Sequence, residues 1–313
     1  MAGRVVITGI FAADSTFRAG RLPVIGETIL GQGFALGPGG KGSNQAVACA
    51  RASGGSKTGA ETYFITRLGQ DTFADMALDL WRDAGVIPAV THHPETHTGA
   101  AFIFLEAGTG NNAIIVCPGA AGTMGPADMD AQRELIAGAD VFLTQLEQPL
   151  DAAQRGLEIA RKGGVTTILN PAPAADLSDA MLALCDWITP NESESEALTG
   201  LPVTTTTEAE AAARALQARG VGNVIITLGA LGVLVCAGDG DAVHLPAVAP
   251  GRVVETTGAG DAFNGGFAAA LARGDDPVTA ARFGCATAGI SVTRPGAAAS
   301  MPGLDEITAL LAH

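Results

Sequence analysis

The sequence predicts an α/β fold, a doubly wound and mostly parallel sheet carrying a small β-sheet lid, on three observations. The chain opens on a short apolar run, Arg4 to Ile10. From residue 120 onward it alternates strand-like and helix-like segments. Between Thr98 and Val116 two apolar runs flank a Gly/Asn-rich turn, AFIFLEAGTGNNAIIV, a hairpin signal outside that alternation. Regular βα alternation favours parallel strands with helices on both faces, because each crossover returns over the sheet.

Arg4 to Ile10 reads as a buried strand. Residues 11–36 alternate loosely around a Pro-Val-Ile-Gly turn, which suggests a short-stranded excursion. From Gly42 the pattern turns helical, with Ala46, Val47, Cys49 and Ala50 on one face and Gly54-Gly55 as the stop. Tyr63–Leu68 reads as a strand and Phe73–Ala84 as a helix. Further strands are expected at 140–145, 165–169, 186–189, 223–228 and 232–236. Helices fit 127–137, 151–162, 178–184, 193–199 and 208–219. With no long linker or repeat, residues 1–313 form one domain, and an excursion drawn from about 11–36 and 96–118 is placed to cover a site as a lid.

Composition narrows the function. Hydrophobic residues make up 47% of the 313 and mean hydropathy is +0.29, so a large core is expected and global disorder is not. A formal charge of −14 and a pI of 4.6 oppose a diffuse nucleic-acid or anionic-membrane binder. An anionic ligand would have to be held locally, by backbone N–H groups, a few cations and a metal. Cys49, Cys117, Cys185, Cys236 and Cys285 are odd in number and show no CxxC spacing, which reads as reduced thiols in the cytoplasm. The N-terminal apolar run is too short for a signal peptide, and no stretch of about 18 apolar residues suggests a membrane span.

Residues 37–46, Gly-Pro-Gly-Gly-Lys-Gly-Ser-Asn-Gln-Ala, precede a helix. Glycines there let a ligand approach the backbone, and the helix start offers free N–H groups. Lys41 and Asn44 would suit a polyol. A Walker A loop is excluded, since Gly42 follows Lys41 where Ser or Thr is needed and Ala35 replaces the first glycine. Gly37, Gly39 and Gly42 match a dinucleotide-type GxGxxG, but Phe34-Ala35-Leu36 is a poor preceding strand. A plain glycine turn packing a helix on a sheet is the bland alternative.

Residues 255–274, ETTGAGDAFNGGFAAALARG, carry the stronger signal. Thr256-Thr257-Gly258-Ala259-Gly260 leads into an Ala-rich helix starting near Asp261. Consecutive N–H groups at such a turn make an anion hollow on the helix dipole, suited to a phosphoryl group in flight. Asp261 would stand beside it as a general base, and its bland reading is a helix cap. Gly265-Gly266 inside the helix hints at close packing against a ligand or another helix.

GGKGSNQA and TTGAGDAFNGGF together resemble the two signature stretches of the ribokinase family of carbohydrate kinases. QLEQPL (145–150), NPAPA (170–174), TPNESESEALTG (189–200), ITLGALGV (226–233) and SVTRPGAAASMP (291–302) follow in the family's order. The resemblance implies a three-layer α/β domain with a β lid, and an ATP-dependent kinase acting on a pentose, D-ribose to D-ribose 5-phosphate. It implies that Asp261 deprotonates the sugar's primary hydroxyl in an anion hole made by Gly258, Ala259 and Gly260. Asp14, Gly40, Lys41, Asn44 and Glu147 would bind the sugar. Thr227, Gly229 and Gly232 resemble the nucleotide-binding turn. Asn191 and Glu194 match an Asn-x-x-Glu motif linked to Mg²⁺ and phosphate, with the carboxylate acting through water. Glu255, Thr257, Ser291, Gly296 and Ser300 match a K⁺ site, and a homodimer through the lid is implied.

Two departures bear on these expectations. Glu255 stands where the family has Asp, which leaves K⁺ activation open. Ala12 stands where it has Asn, so one sugar contact is lost, and Phe11 is expected to alter the pocket's shape. Fructose, keto-deoxygluconate or a nucleoside are alternative substrates, and aromatic side chains at 11, 34, 102 and 104 leave a purine open. A non-catalytic sugar- or nucleotide-binding regulator is the alternative from another class. His92, His93 and His97 read as a surface loop, Asp239 and Asp241 as a hairpin turn, and Asp128 and Asp130 as an acidic helix start. Glu192 and Glu196 read as first-turn helix acids, and Asn170 as either an Asx turn or a ligand contact.

Overall fold

The computed structural model describes residues 3–55, 59–109 and 111–312. The chain begins with β1 (Arg4–Thr8), β2 (Ala12–Ala19), β3 (Gly33–Gly39), α1 (Lys41–Ala52), β4 (Glu61–Leu68), α2 (Thr72–Ala84) and β5 (Val86–His92). The hairpin β6 (Ala100–Glu106) and β7 (Asn112–Cys117) follows, then α3 (Pro126–Ala131), α4 (Arg133–Ala137), β8 (Val141–Thr144), α5 (Leu150–Lys162) and β9 (Thr166–Leu169). Next come α6 (Asp179–Leu182), β10 (Trp187–Ile188), α7 (Glu192–Thr199), α8 (Thr206–Ala218), β11 (Asn223–Thr227), β12 (Val233–Ala237) and β13 (Val243–Leu245). Helices α9 (Ala259–Arg273), α10 (Pro277–Ser291) and α11 (Leu304–Leu311) come last.

Nine strands form the main sheet in the order β13-β12-β11-β10-β9-β8-β1-β4-β5. All pair in parallel except at β12 and β13, which fold back as an antiparallel edge. Successive residues of a strand point to opposite faces. Val5 and Ile7 accordingly join a core with α1, α2, α9 and α10, while Val6 joins a second with α5 and α8. Two buried faces explain why these strands read as unbroken apolar runs. The result is the expected three layers.

Several expected boundaries shift. The helix expected at 127–137 is two short helices that break at Gln132, whose φ of −104° and ψ of 17° leave the helical region. Val86–His92 was not expected as a strand. Pro88 disguises it, and β5 tolerates the proline as an edge strand that needs no donor on its open side. The lid sheet, ordered β3-β2-β6-β7, runs beyond 36 to Gly39. The Gly-rich motif therefore starts on a lid strand rather than after a strand of the main sheet, which removes the dinucleotide reading of Gly37–Gly42. Among the described residues no helix is long and apolar enough to cross a membrane. All five cysteines are free thiols, and four are buried.

Candidate active site

The parallel strands point their C-terminal ends to one side, where open α/β sheets place ligands. Gln145 to Glu147 follow β8, Asn170 follows β9, Thr189 and Asn191 follow β10, and Thr227 ends β11. Helices α1 and α9 present their N-termini to the same region. Lys41, Asn191, Glu194, Thr227, Thr256 and the turn Gly258–Asp261 line a cavity of about 220 Å³, together with Asn170, Ala172, Thr189 and Asn264.

Asp261 sits in the first turn of α9, whose N-cap Gly258 is left-handed at φ 79°. Ala259 N donates to Thr256 O at 3.1 Å, and the N–H groups of Gly258 and Gly260 have no partner among the described residues. Two free donors at a positive helix end form the anion hollow. Asp261 is 6% exposed, with Oδ2 accepting from Asn44 Nδ2 and Oδ1 from Gln45 Nε2, each at 3.0 Å. Burial raises its pKa, opposed by the Lys41 charge and the two amide donors. A desolvated carboxylate with a raised pKa is a stronger proton acceptor than an exposed one.

Asp14 and Glu147 lie outside the cavity lining, near enough to Asp261 for its charge to act on both. Burial, then the Asp261 charge, pushes Asp14 up to about 6. Burial pushes Glu147 up to about 7 even though Lys41 N donates to its Oε2 at 2.8 Å. Asn44 Oδ1, beside Asp261, is buried without a partner among the described residues. Gly40 holds φ 86° where β3 passes into α1, a conformation L side chains avoid, and a Cβ there would strike Ile10 O at 2.6 Å. Lys41 lies between Asp261, Glu147 and Glu194. Burial pulls its pKa down, and these three carboxylates more than offset that and hold it raised. Lys41 also lines the cavity of the anion hollow.

Asn191 and Glu194 form a reciprocal helix cap at the start of α7. Asn191 Oδ1 accepts from Glu194 N at 2.8 Å, and Glu194 Oε2 accepts from Asn191 N at 2.9 Å. Asn191 Nδ2 and Glu194 Oε1 have no partner among the described residues. A cavity-facing carboxylate oxygen fits a hydrated Mg²⁺, and a free amide N–H fits a phosphate oxygen. Glu192 lies in the first turn of α7 as expected, whereas Glu196 lies in the second.

Gly229 and Gly232 lie in the β11–β12 turn, outside the cavity lining. Gly232 has a structural reason to be glycine, since a Cβ would lie 2.1 Å from Leu245 O. The residues expected at a K⁺ site gather behind the anion hollow. Glu255 Oε2 accepts from Gly296 N at 2.8 Å, and the hydroxyls of Ser291 and Ser300 donate to Ala288 O and Ala297 O, each at 2.8 Å. Ala297 in turn packs on Gly258, where a Cβ would meet it at 3.0 Å. Thr257 sits on the same turn, next to Gly258.

Two expectations about aromatic residues are corrected. Phe11 is fully buried and meets Trp81 edge-on at 5.9 Å, so it belongs to the core and does not shape the pocket. Phe34 and Phe102 lie on the lid face opposite Asp14. Phe17 pairs with Phe34 and Phe104, Ser15 pairs with Phe102, and Asp14 alternates with both. Phe34, Phe102 and Phe104 therefore offer no stacking surface on the lid face of Asp14. The Asn170 side chain donates to Thr189 O and accepts from Gln45 Nε2, each at 3.0 Å, in place of an Asx turn.

Sequence reasoning missed Gln45, Gln145, Thr189 and Asn264. A signal existed for Gln45, because Ser43-Asn44-Gln45 puts three polar residues in a helical turn that packs inward. Ser43 accepts from Trp81 Nε1 at 2.9 Å and Gln45 is fully buried.

Known proteins resemble this chain along its length. The pattern of the pfkB family carbohydrate kinases matches residues 2–304. A ribokinase of Haemophilus influenzae is 38% identical, covering 99% of this chain and 98% of that protein. A deoxyribokinase of Salmonella typhi is 35% identical, covering 98% of each. The structure of Arabidopsis thaliana ribokinase complexed with ribose and ATP superposes with a TM-score of 0.92 at 30% identity, covering 100% of both chains.

Proposed function

Because the chain belongs to the pfkB family of carbohydrate kinases, we propose that it transfers the γ-phosphoryl group of ATP to the primary hydroxyl of D-ribose. The products are D-ribose 5-phosphate and ADP. The observation that carries this is the enclosed Asp261 carboxylate beside the open N–H groups of Gly258 and Gly260. Asp261 accepts the hydroxyl proton as the sugar oxygen bonds to phosphorus, and the bond from phosphorus to the β-phosphate bridging oxygen breaks. The anion hollow and Lys41 hold the charge that spreads over the transferring group. Asp14 and Glu147 accept from the sugar's other hydroxyls.

Four carboxylates and one ammonium face this site, an acidic balance that repels a bare polyphosphate. A divalent cation held through water by Glu194 would neutralise it, which supports Mg²⁺. The gathered set Glu255, Thr257, Ser291, Gly296 and Ser300 supports K⁺ behind the hollow, with the longer Glu255 side chain spent on the Gly296 N–H. Free buried thiols support a cytoplasmic protein.

Deoxyribose is a second reading, favoured by Ala12 in place of a hydroxyl-binding Asn and by the deoxyribokinase relative. ADP release with Mg-ATP and a panel of ribose, 2-deoxyribose, fructose, keto-deoxygluconate and adenosine, in K⁺ or Na⁺, tests both. Ribose is expected to turn over fastest, and faster in K⁺. Preference for 2-deoxyribose would move the assignment, and absence of any turnover would favour a binding protein.

A homodimer through the lid is proposed from its apolar outer face. Phe17, Phe34, Leu36, Phe102 and Ile115 share that face, at 37–63% exposure. Phe17 clusters with Phe34 and Phe102 at 5.0 and 5.7 Å. A second copy would cover this patch and the open edges β3 and β7. Light scattering at micromolar concentration should give a dimer, and Phe34→Glu a monomer. A monomeric parent protein would refute the dimer.

A further inference from the structure

A set of buried amides converges on Asp261. Gln45 Nε2 donates to Asp261 Oδ1 and to Asn170 Oδ1, each at 3.0 Å. Its Oε1 accepts from Gln145 Nε2. Both N–H bonds and the carbonyl of this amide are therefore engaged, which fixes its orientation. Asn44 differs. It is slightly exposed, bonds Asp261 Oδ2, and keeps Oδ1 without a partner.

Gln45 is fully buried, so it cannot touch the sugar. Its partners sit at the ends of β8 and β9. Gln145 reaches it through a gap between Gly9 and Gly42, where a Cβ on Gly9 would lie 2.4 Å from Gln145 Oε1. The carboxylate of Asp261 is thus tied to the central sheet as well as to its own helix.

We propose that Gln45 is the positioning residue of the catalytic base, clamping Asp261 Oδ1 through the Gln145–Gln45–Asn170 amides so that Oδ2 is the oxygen presented to the sugar hydroxyl. This rests on Asp261 being the base. Once sugar enters, the bond from Asn44 to Oδ2 can be shared with the incoming hydroxyl, while the bond from Gln45 to Oδ1 has no competitor. Gln45 also favours the charged form of the base. The other charged groups acting on Asp261 are Lys41 on α1, Asp14 on β2, Glu147 after β8 and Glu194 on α7. A Gln45 variant leaves all four in place.

The test is steady-state kinetics of Gln45→Met, Gln145→Met and Asp261→Asn across pH 5.5–9, with folding checked by thermal melting. Gln45→Met should lose on the order of 10-fold in kcat, as a small misplacement of a reacting group does, with little change in the sugar KM. Its acid limb should move to higher pH, because the carboxylate loses a donor that stabilises its anion. Gln145→Met should show the same changes at smaller size. Wild-type kcat with an unmoved acid limb in Gln45→Met, or a loss confined to KM, overturns the proposal. Should Gln45→Met not fold, an unaltered Gln145→Met profile overturns it instead. Turnover surviving in Asp261→Asn would instead overturn the base assignment on which the proposal rests.

Discussion

Asp261→Asn should lower kcat by about 10³-fold, within the range a positioned general base contributes, while sugar affinity stays close to that of the parent. Asparagine keeps the shape and one carbonyl oxygen, so Gln45 Nε2 retains an acceptor. The new amide nitrogen would face Asn44 Nδ2, two donors in opposition. Asn44 can turn its amide over, because its Oδ1 has no other partner to lose. The variant should therefore fold. It should also melt no lower than the parent. Folding raises the pKa of this carboxyl, so its charged form opposes folding at every pH above its ordinary range, and a neutral amide removes that opposition. ADP release, sugar titration calorimetry and thermal melting check the three parts. Turnover within tenfold of the parent would remove Asp261 from the base role, and a collapsed melting temperature would make the carboxylate a structural group.

Much of this site was legible because its chemistry is local in sequence. A Gly-rich turn before an apolar helix announces free N–H groups, and Asp261 stands in that first turn as the sequence places it. The doubly wound sheet was legible from alternation for the same reason. What stayed hidden depends on contacts far apart in sequence. Gln45 meets Asp261 across 216 positions and Gln145 across 100. A single glutamine inside a helix carries no local sign of either partner. Val86–His92 was hidden because Pro88 is forbidden in an interior strand and permitted at an edge, and edge position is a property of the finished sheet. The two short helices in place of one at 127–137 differ by the backbone of Gln132 alone, below what periodicity resolves. Phe11 misled because its neighbour Ala12 does share a lid face with Asp14, while one step in a strand reverses the side chain's direction.

Gly265→Ala should destabilise the protein by about 1–2 kcal/mol, the lower part of the range for overpacking a filled interior, and should lower kcat by about 10²-fold, as a 1 Å misplacement at a reacting centre does. Alanine is the better helix former by about 0.8–1 kcal/mol, so local propensity alone predicts the opposite sign. Packing decides. A Cβ on Gly265 would lie 2.5 Å from Ala48 Cβ, 2.7 Å from Cys49 N and 2.7 Å from Gln45 O. Two of these three atoms are backbone of α1, which cannot rotate aside, so α1 and α9 must separate. The separation falls on function because the two helices divide the site between them. α9 carries Asp261 at its first turn, and α1 carries Lys41, Asn44 and Gln45. The bonds of 3.0 Å from Asn44 and Gln45 to the base lengthen together. Adding Ala48→Gly removes the methyl but leaves both backbone contacts, so the double variant should recover only part of the melting temperature and little of kcat. Melting curves and ADP release on the two variants check this. Full recovery in the double variant would mean that the helices are held apart by side chains alone and that Gly265 does not set the geometry of the base.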